Sequence, residues 1–282
     1  MPCGLPPAAV PKQESDLVYD HYQKLLIDKK DRILTVTINN PPLNELVEQL
    51  DAELAEIFFE INRDPEVSVV ILTAAGDRAF CAGGSFDAMI ARRRDHHYEN
   101  WISGMRRGRR ILMSMLDLDQ PIIARVQGHA IGLGATLAVY SDITIAAEHV
   151  KIADPHVQVG LTAGDGGSLM WPHLMGLARA KYYLLTGDRM TASEAAAFGL
   201  IHKAVPASEL DSTVNALAAR LAGLPRTALR TTKRAVNIPV LRDLVTSMDA
   251  NFGLETLSML HADHLEAVTA IKEKRPPKFR GD

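Results

Sequence analysis

The stretch Val126-Gln-Gly-His-Ala-Ile-Gly-Leu-Gly134 is where the fold becomes readable. Pro121 to Gln127 reads as a strand, and Ala135 to Tyr140 as an apolar helix. Between them, glycines at 128, 132 and 134 mark a turn where the backbone bends sharply or approaches another segment closely. A strand over Asp142 to Ala147 follows, then a short one over Val150 to Ala153. The same order of strand, turn and helix stands upstream. Leu34, Val36 and Ile38 alternate with Thr35, Thr37 and Asn39, as in a half-buried strand. Pro41-Pro42 stops it, and a helix is predicted from Glu45 to Asn62 with Leu46, Leu50, Leu54, Phe58 and Ile61 on one face. Val67 to Thr73 is a continuous apolar run suited to a sheet covered on both faces. The Gly76 turn leads into Arg78-Ala-Phe-Cys-Ala-Gly-Gly-Ser85 and an Arg-rich helical stretch over 87–116.

Downstream, a glycine-rich loop over 160–167 precedes a helix predicted from Ser168 to Leu185. Thr191 and Glu194 form a capping box for a helix that Gly199 ends, and Leu200 to Val205 is the last strand. From Ser208 the pattern is helical: 208–222, then 225–237 up to Pro239, then a long pattern to about Lys274. The organisation implied is a flexible Pro-rich segment over 1–19, an α/β core over 20–207 and a helical region over 208–282.

Composition narrows the function. Of 282 residues, 47% are hydrophobic and 23% charged, enough apolar surface for a substantial core and too much for a disordered chain. A net charge of -3 and 5% aromatic residues give no general pull toward nucleic acid and few surfaces on which bases could stack. No window approaches the roughly 18 uninterrupted apolar residues of a membrane span, and the first residues lack the basic and apolar regions of a signal peptide. Cys3 and Cys81 cannot make a disulfide scaffold or a zinc site, so a reducing cytoplasm is the expected location. No metal site is expected, because His96-His97 and His261/His264 lack clustered carboxylate or thiol ligands.

Three segments in order go beyond fold class: Arg78–Ser85, Val126–Gly134, and Leu184-Leu-Thr-Gly-Asp-Arg-Met-Thr-Ala-Ser-Glu-Ala-Ala-Ala-Phe-Gly-Leu-Ile201. Together with Asn40-Pro-Pro-Leu-Asn44 and Glu273-Lys-Arg-Pro-Pro-Lys-Phe279, they resemble the crotonase superfamily of enoyl-CoA hydratases and isomerases over about residues 20 to 280. The resemblance implies a spiral of repeated ββα units with C-terminal helices that build homotrimers, often paired into hexamers. It also implies an acyl-CoA substrate, with coenzyme A part of the substrate and no separate cofactor. The thioester carbonyl would sit between backbone N–H donors that fall by motif on Gly84 and Leu133, with Ala82, Gly83 and Gly132 beside them. Lys274 matches a position that reaches the CoA phosphates in relatives.

The sequence also departs from that family. The two glutamates of its hydratases fall on Thr136 and His156, so the usual two-carboxylate hydration is not expected. His156 can take up a proton near neutral pH, and Asp165 stands nine positions later (165 − 156) as an orienting partner. That His/Asp spacing resembles 6-oxocamphor hydrolase, where such a pair activates water in a retro-Claisen cleavage without CoA. Its other polar pocket positions fall on about Leu46 and Asp51, which do not match. The leading expectation is therefore an acyl-CoA enzyme with His156 as general base, oriented by Asp165. A hydrolase of β-diketone or β-keto substrates is the alternative. A non-catalytic or RNA-binding relative is a third, resting on Arg92–Arg94 and Arg106, Arg107, Arg109 and Arg110. Thr136 reads as a plain helix residue, His129 as a pocket or packing residue, and Cys81 as a small core residue.

Overall fold

The computed structural model describes residues 19–95 and 98–281, with side chains given outside 92–101. Most of the Pro-rich segment over 1–19 therefore lies outside the described residues.

The chain is laid down in ββα units. The first comprises β1 (Leu25–Lys30), β2 (Ile33–Ile38) and α1 (Glu48–Ile61). The second is β3 (Val69–Ala74), β4 (Ala79–Cys81), α2 (Phe86–Asp95) and α3 (Tyr98–Asp117). The third is β5 (Ile122–Val126), β6 (His129–Ile131) and α4 (Leu133–Tyr140). The fourth is β7 (Ile143–Ala147), β8 (Lys151–Ala153), a 3₁₀ turn His156–Val159, α5 (Gly167–Met175) and α6 (Leu177–Thr186). Then come β9 (Met190–Thr191), α7 (Ala192–Ala197), β10 (Lys203–Val205) and the helices α8 (Leu210–Ala222), α9 (Arg226–Leu260) and α10 (Ala262–Glu273).

From the second unit to the fourth, the first strand joins one sheet and the second strand another. The larger sheet runs β1-β2-β3-β5-β7-β10, parallel except for the β1–β2 hairpin. The smaller runs β4-β6-β8-β9, parallel except for β9. This is the crotonase-like spiral with a C-terminal helical region. Sequence patterning accounts for it strand by strand: every residue of β3 is buried, as its unbroken apolar run requires, whereas β2 buries alternate residues.

Glycines bring the smaller sheet together. A Cβ on Gly128 would lie 2.6 Å from the Ala79 nitrogen, and one on Gly134 would lie 2.0 Å from the Cys81 carbonyl oxygen. Only a residue without a side chain allows backbone to approach backbone so closely.

Several boundaries differ from the sequence reading. The stretch expected over 87–116 is two helices, and the helix expected over 168–185 is divided at Gly176, whose φ is 82°. β1 was not visible in the sequence. It is anchored by Glu53, whose carboxylate accepts the N–H groups of Gln23, Lys24 and Leu25 at 2.9, 2.8 and 3.0 Å. Pro239 does not end a helix, since α9 runs through it for 35 residues. Packing on both sides offsets the lost hydrogen bond. On one side the Asn237 amide donates to the Leu116 carbonyl at 2.9 Å, and on the other Leu244, Met248 and Phe252 are buried.

Lys233 ties α9 to the larger sheet. Its buried ammonium donates to the Gln120 carbonyl at 3.0 Å and meets the Asp142 carboxylate at 2.7 Å. The same carboxylate oxygen accepts the Ile122 N–H at 2.7 Å. Burial lowers the Lys233 pKa, and Asp142 opposes that shift. Asp142→Ala should therefore cost about 3–5 kcal/mol near neutral pH by leaving a buried cation unpaired. A lysine with a depressed native pKa binds fewer protons folded than unfolded, so stability rises with pH through that range. The deficit should accordingly shrink in urea titrations at about pH 9.

Candidate active site

The loop after β4 is fixed by a buried asparagine. Asn44 adopts φ 50°, and its amide donates to the carbonyls of Ala75 and Ala79 at 2.9 and 2.8 Å. Its side-chain oxygen accepts the Asn40 N–H at 2.9 Å. Beside it, the Ala82 N–H donates to Leu43 at 3.0 Å and the Leu46 N–H to Gly83 at 2.8 Å. Gly84 is thus held in a strand-like bridge with Leu46.

Gly83 turns with φ 80°, and a Cβ there would lie 3.0 Å from the Ile131 carbonyl and 3.7 Å from the Leu133 nitrogen. The Ala82–Gly84 loop therefore runs against the Gly132–Leu133 turn. Gly132 takes φ 57° and ψ -125°, and its N–H donates to Ala153 at 2.9 Å. Leu133 opens α4, so its N–H has no partner within the helix.

His156 stands next to this turn. A Cβ on Gly132 would be 3.7 Å from His156 Cε1. The ring is buried between two carboxylates: Nδ1 is in hydrogen-bond contact with Asp154 Oδ1, and Nε2 lies 3.4 Å from Asp165 Oδ2. Burial alone would lower the histidine pKa, but Asp154, Asp165 and more distant Glu255 outweigh it and hold the pKa well above 6.5. Burial raises the Asp165 pKa and nearby Asp154 adds to the rise, while His156, the Thr136 hydroxyl and the Gly167 N–H oppose it. Thr136, read from sequence as a plain helix residue, donates its hydroxyl to Asp165 Oδ1 at 3.4 Å. A carboxylate thus reaches the neighbourhood of position 136 from the 160–167 loop.

Sequence reasoning missed Asp154. The available signal was Asp154-Pro-His156, an acid two residues before a histidine across a proline turn. Asp154, His156 and Asp165 also offer metal-ligand atoms within 4.8 Å of one another. Asp154 occupies the Nδ1 edge of the ring and Asp165 faces the Nε2 edge.

Other candidates fall elsewhere. Lys274 is exposed at the end of α10 with φ 54°. Lys272 pairs with Asp87, which brings that end of α10 to the start of α2 just beyond Gly84. His129 Nδ1 accepts the Lys151 N–H at 3.0 Å, and His264 Nδ1 meets the Val159 carbonyl at 2.6 Å. Cys81 is fully buried, its thiol pushed up to about 12 by burial. Arg107 pairs with Asp51 at 2.6 Å, Arg110 with Glu56 and Arg109 with Asp249 at 3.4 Å. The side chains of Arg92–Arg94 lie outside the described residues.

The same architecture recurs in known proteins. Residues 28–282 match the family model for enoyl-CoA hydratase/isomerase. The chain is 31% identical over 265 residues to the crotonyl-CoA hydratase of Syntrophomonas wolfei, covering 92% of this chain and 98% of the relative. It is 33% identical to the 1,2-epoxyphenylacetyl-CoA isomerase of Escherichia coli, covering 88% and 95%. An enoyl-CoA hydratase/isomerase structure from Mycobacterium paratuberculosis superposes with a TM-score of 0.83 at 34% identity, covering 87% and 97%. The chain belongs to the enoyl-CoA hydratase/isomerase family.

Gly134 gives a direct test of the backbone crossing at this site. Gly134→Ala forces a methyl into the Cys81 carbonyl, and overpacking of this kind costs typically 1–3 kcal/mol or more. A lowered melting temperature, with loss of any activity that depends on the neighbouring Leu133 N–H, is the expected result.

Proposed function

We propose that this protein is an acyl-CoA enzyme that polarises a thioester carbonyl between the Gly84 and Leu133 N–H groups and moves a proton at the adjacent carbon with the His156–Asp165 pair. The observation that carries the reading is the position of the His156 ring, against Gly132 and one residue from the proposed donor on Leu133. A proton taken beside a thioester leaves an enolate whose oxygen carries the charge. Prepositioned backbone donors stabilise it, and losing one commonly costs roughly 3–4 kcal/mol. Ala82, Gly83 and Gly132 shape the cradle, and Lys274 is assigned to the CoA phosphates. The relatives named above act on CoA esters by their names, which supports the substrate class.

Double-bond isomerisation is the simplest outcome for one acid–base centre. The second reading, hydrolytic cleavage of a β-keto substrate, is favoured by the imidazole lying between carboxylates, a geometry that can activate water. RNA binding is disfavoured, because Arg107 and Arg110 are engaged by acids of α1 and Arg109 by Asp249. The buried, unpaired Cys81 suits a reducing cytoplasm.

Leu133→Pro tests the donor itself. Proline is tolerated at the first position of a helix and removes the N–H, whereas Leu133→Ala keeps it. Acetoacetyl-CoA should bind wild type and Leu133→Ala, and Leu133→Pro should lose enolate stabilisation by about 10²–10³-fold. Failure of the wild-type protein to bind any CoA ester, or equal behaviour of all three, overturns the reading.

We further assign the protein to a homotrimer, or a hexamer made of two trimers. Leu254, Leu257 and Leu260 on α9 are 53%, 67% and 45% exposed, more apolar surface than an isolated helix face usually presents. Light scattering at micromolar concentration should return a multiple of three chains, and a monomer refutes the assignment.

A further inference from the structure

We propose a division of labour within the buried trio: Asp154 is the positioning residue that locks the His156 ring, and Asp165 is the group that takes up the substrate proton, with His156 as the cation between them. This rests on the acyl-CoA reading above and changes the roles expected from sequence, where Asp165 was the orienting partner.

The two carboxylates differ in access and in support. The Asp154 side chain is 0% exposed, against 12% for Asp165 and 10% for His156. Asp154 follows β8 directly, and besides the ring contact its Oδ1 accepts the His156 backbone N–H at 3.4 Å. Two bonds to one residue fix the ring relative to its own backbone. The other oxygen, Oδ2, is buried, and among the described residues it has no hydrogen-bond partner. A Cβ on Gly167 would come within 2.0 Å of it, so it is walled in rather than aimed at the site. Such a carboxylate can hold a proton donor but cannot reach a substrate.

Asp165 has the opposite character. It comes from a different loop, and its position does not depend on the histidine alone, because Thr136 on α4 donates to Oδ1 and the Gly167 N–H also supports it. Its Oδ2 lies on the Nε2 side of the ring at 3.4 Å, longer than the Asp154 contact on the other edge. The charged and titratable groups facing the pair are Asp154 on its own turn and Glu255 from α9, with Tyr140 of α4 and Cys81 of β4 beside Asp165. With the imidazolium favoured, both ring nitrogens carry protons and neither can accept another. The carboxylate then accepts the carbon-bound proton, the C–H electron pair passes into the enolate, and reprotonation returns the proton from the acid so formed. The cation beside it limits the build-up of negative charge.

Histidine ring nitrogens observed by NMR test the first role without any substrate. In wild type, Nδ1 should stay protonated through the titration, and the midpoint should lie above 6.5. Asp154→Asn should lower the midpoint and release the fixed tautomer, whereas Asp165→Asn should keep the Nδ1 proton. The second role is read from exchange of the α-protons of butyryl-CoA in deuterated water. Asp165→Asn should slow exchange by about 10²–10⁴-fold. Asp154→Asn should reduce kcat with KM little changed. Wild-type and Asp165→Asn spectra decide the positioning role even if Asp154→Asn does not fold: a retained Nδ1 proton supports it, and a lost one overturns it. Exchange undiminished in Asp165→Asn overturns the second role. Absence of butyryl-CoA binding by wild type would instead strike the acyl-CoA reading, leaving the tautomer result to stand by itself.

Discussion

The backbone of Gly134 passes so close to the Cys81 carbonyl that no side chain fits between them, and the whole site depends on this crossing. It seats α4 on the β4–β6 pair. Together with the close pass of Gly83 to Ile131, it sets the Gly84 and Leu133 amides in neighbouring turns. Two amides separated by 49 positions (133 − 84) could not be held in register by flexible loops, since ordering each loop residue costs roughly 1–2 kcal/mol of backbone entropy. Here Asn44, the Leu46–Gly84 bridge and the first turn of α4 keep both segments ordered before any ligand arrives. In the proposed role as donors, amides set in advance would not have to reorganise as charge develops on an oxygen.

The electrostatics of the site follow from placing three ionisable groups in one buried volume. A single buried carboxylate or imidazolium would tend to neutralise, because burial disfavours charge. An imidazole between two carboxylates is a different case, because both acids favour its charged form against the penalty of burial. At Asp165 the His156 ring, the Thr136 hydroxyl and the Gly167 N–H oppose the rise that burial causes. In the proposed reading, acid–base groups would come from the turn after β8 and from the 160–167 loop, with α4 contributing a hydroxyl.

Much of this could be read from the chain. The largely apolar run over 67–73, the alternation over 33–39 and the spaced glycines at 128, 132 and 134 are local signals, and each describes its own segment. β1 was hidden because its stability comes from Glu53, 28 positions beyond Leu25, accepting backbone N–H groups that no pattern announces. The continuity of α9 through Pro239 was hidden for the same kind of reason: its bonds go to carbonyls more than a hundred residues upstream. Within the candidate site, the proximity of His156 and Asp165 was legible through their place among recognisable motifs. Asp154 was not, because an acid next to a proline reads as turn chemistry until its contact with the ring is seen. Thr136 was misread because a hydroxyl in an apolar helix gives no hint of a partner 29 positions away.

Helix α9 gives its residues two kinds of neighbour within a single turn. The Ser258 hydroxyl accepts the Thr162 N–H at 2.9 Å, and the Asn251 carbonyl lies against Gly164, so this face supports the loop that carries Asp165. Leu254 touches the same loop through its carbonyl, which accepts the Thr162 hydroxyl at 3.4 Å, while its side chain points outward. The side chain at 254 can therefore be exchanged without removing that contact. Because the outward side chain at 254 is assigned to the subunit interface, a neighbouring chain docked on α9 would brace from behind the loop that carries Asp165.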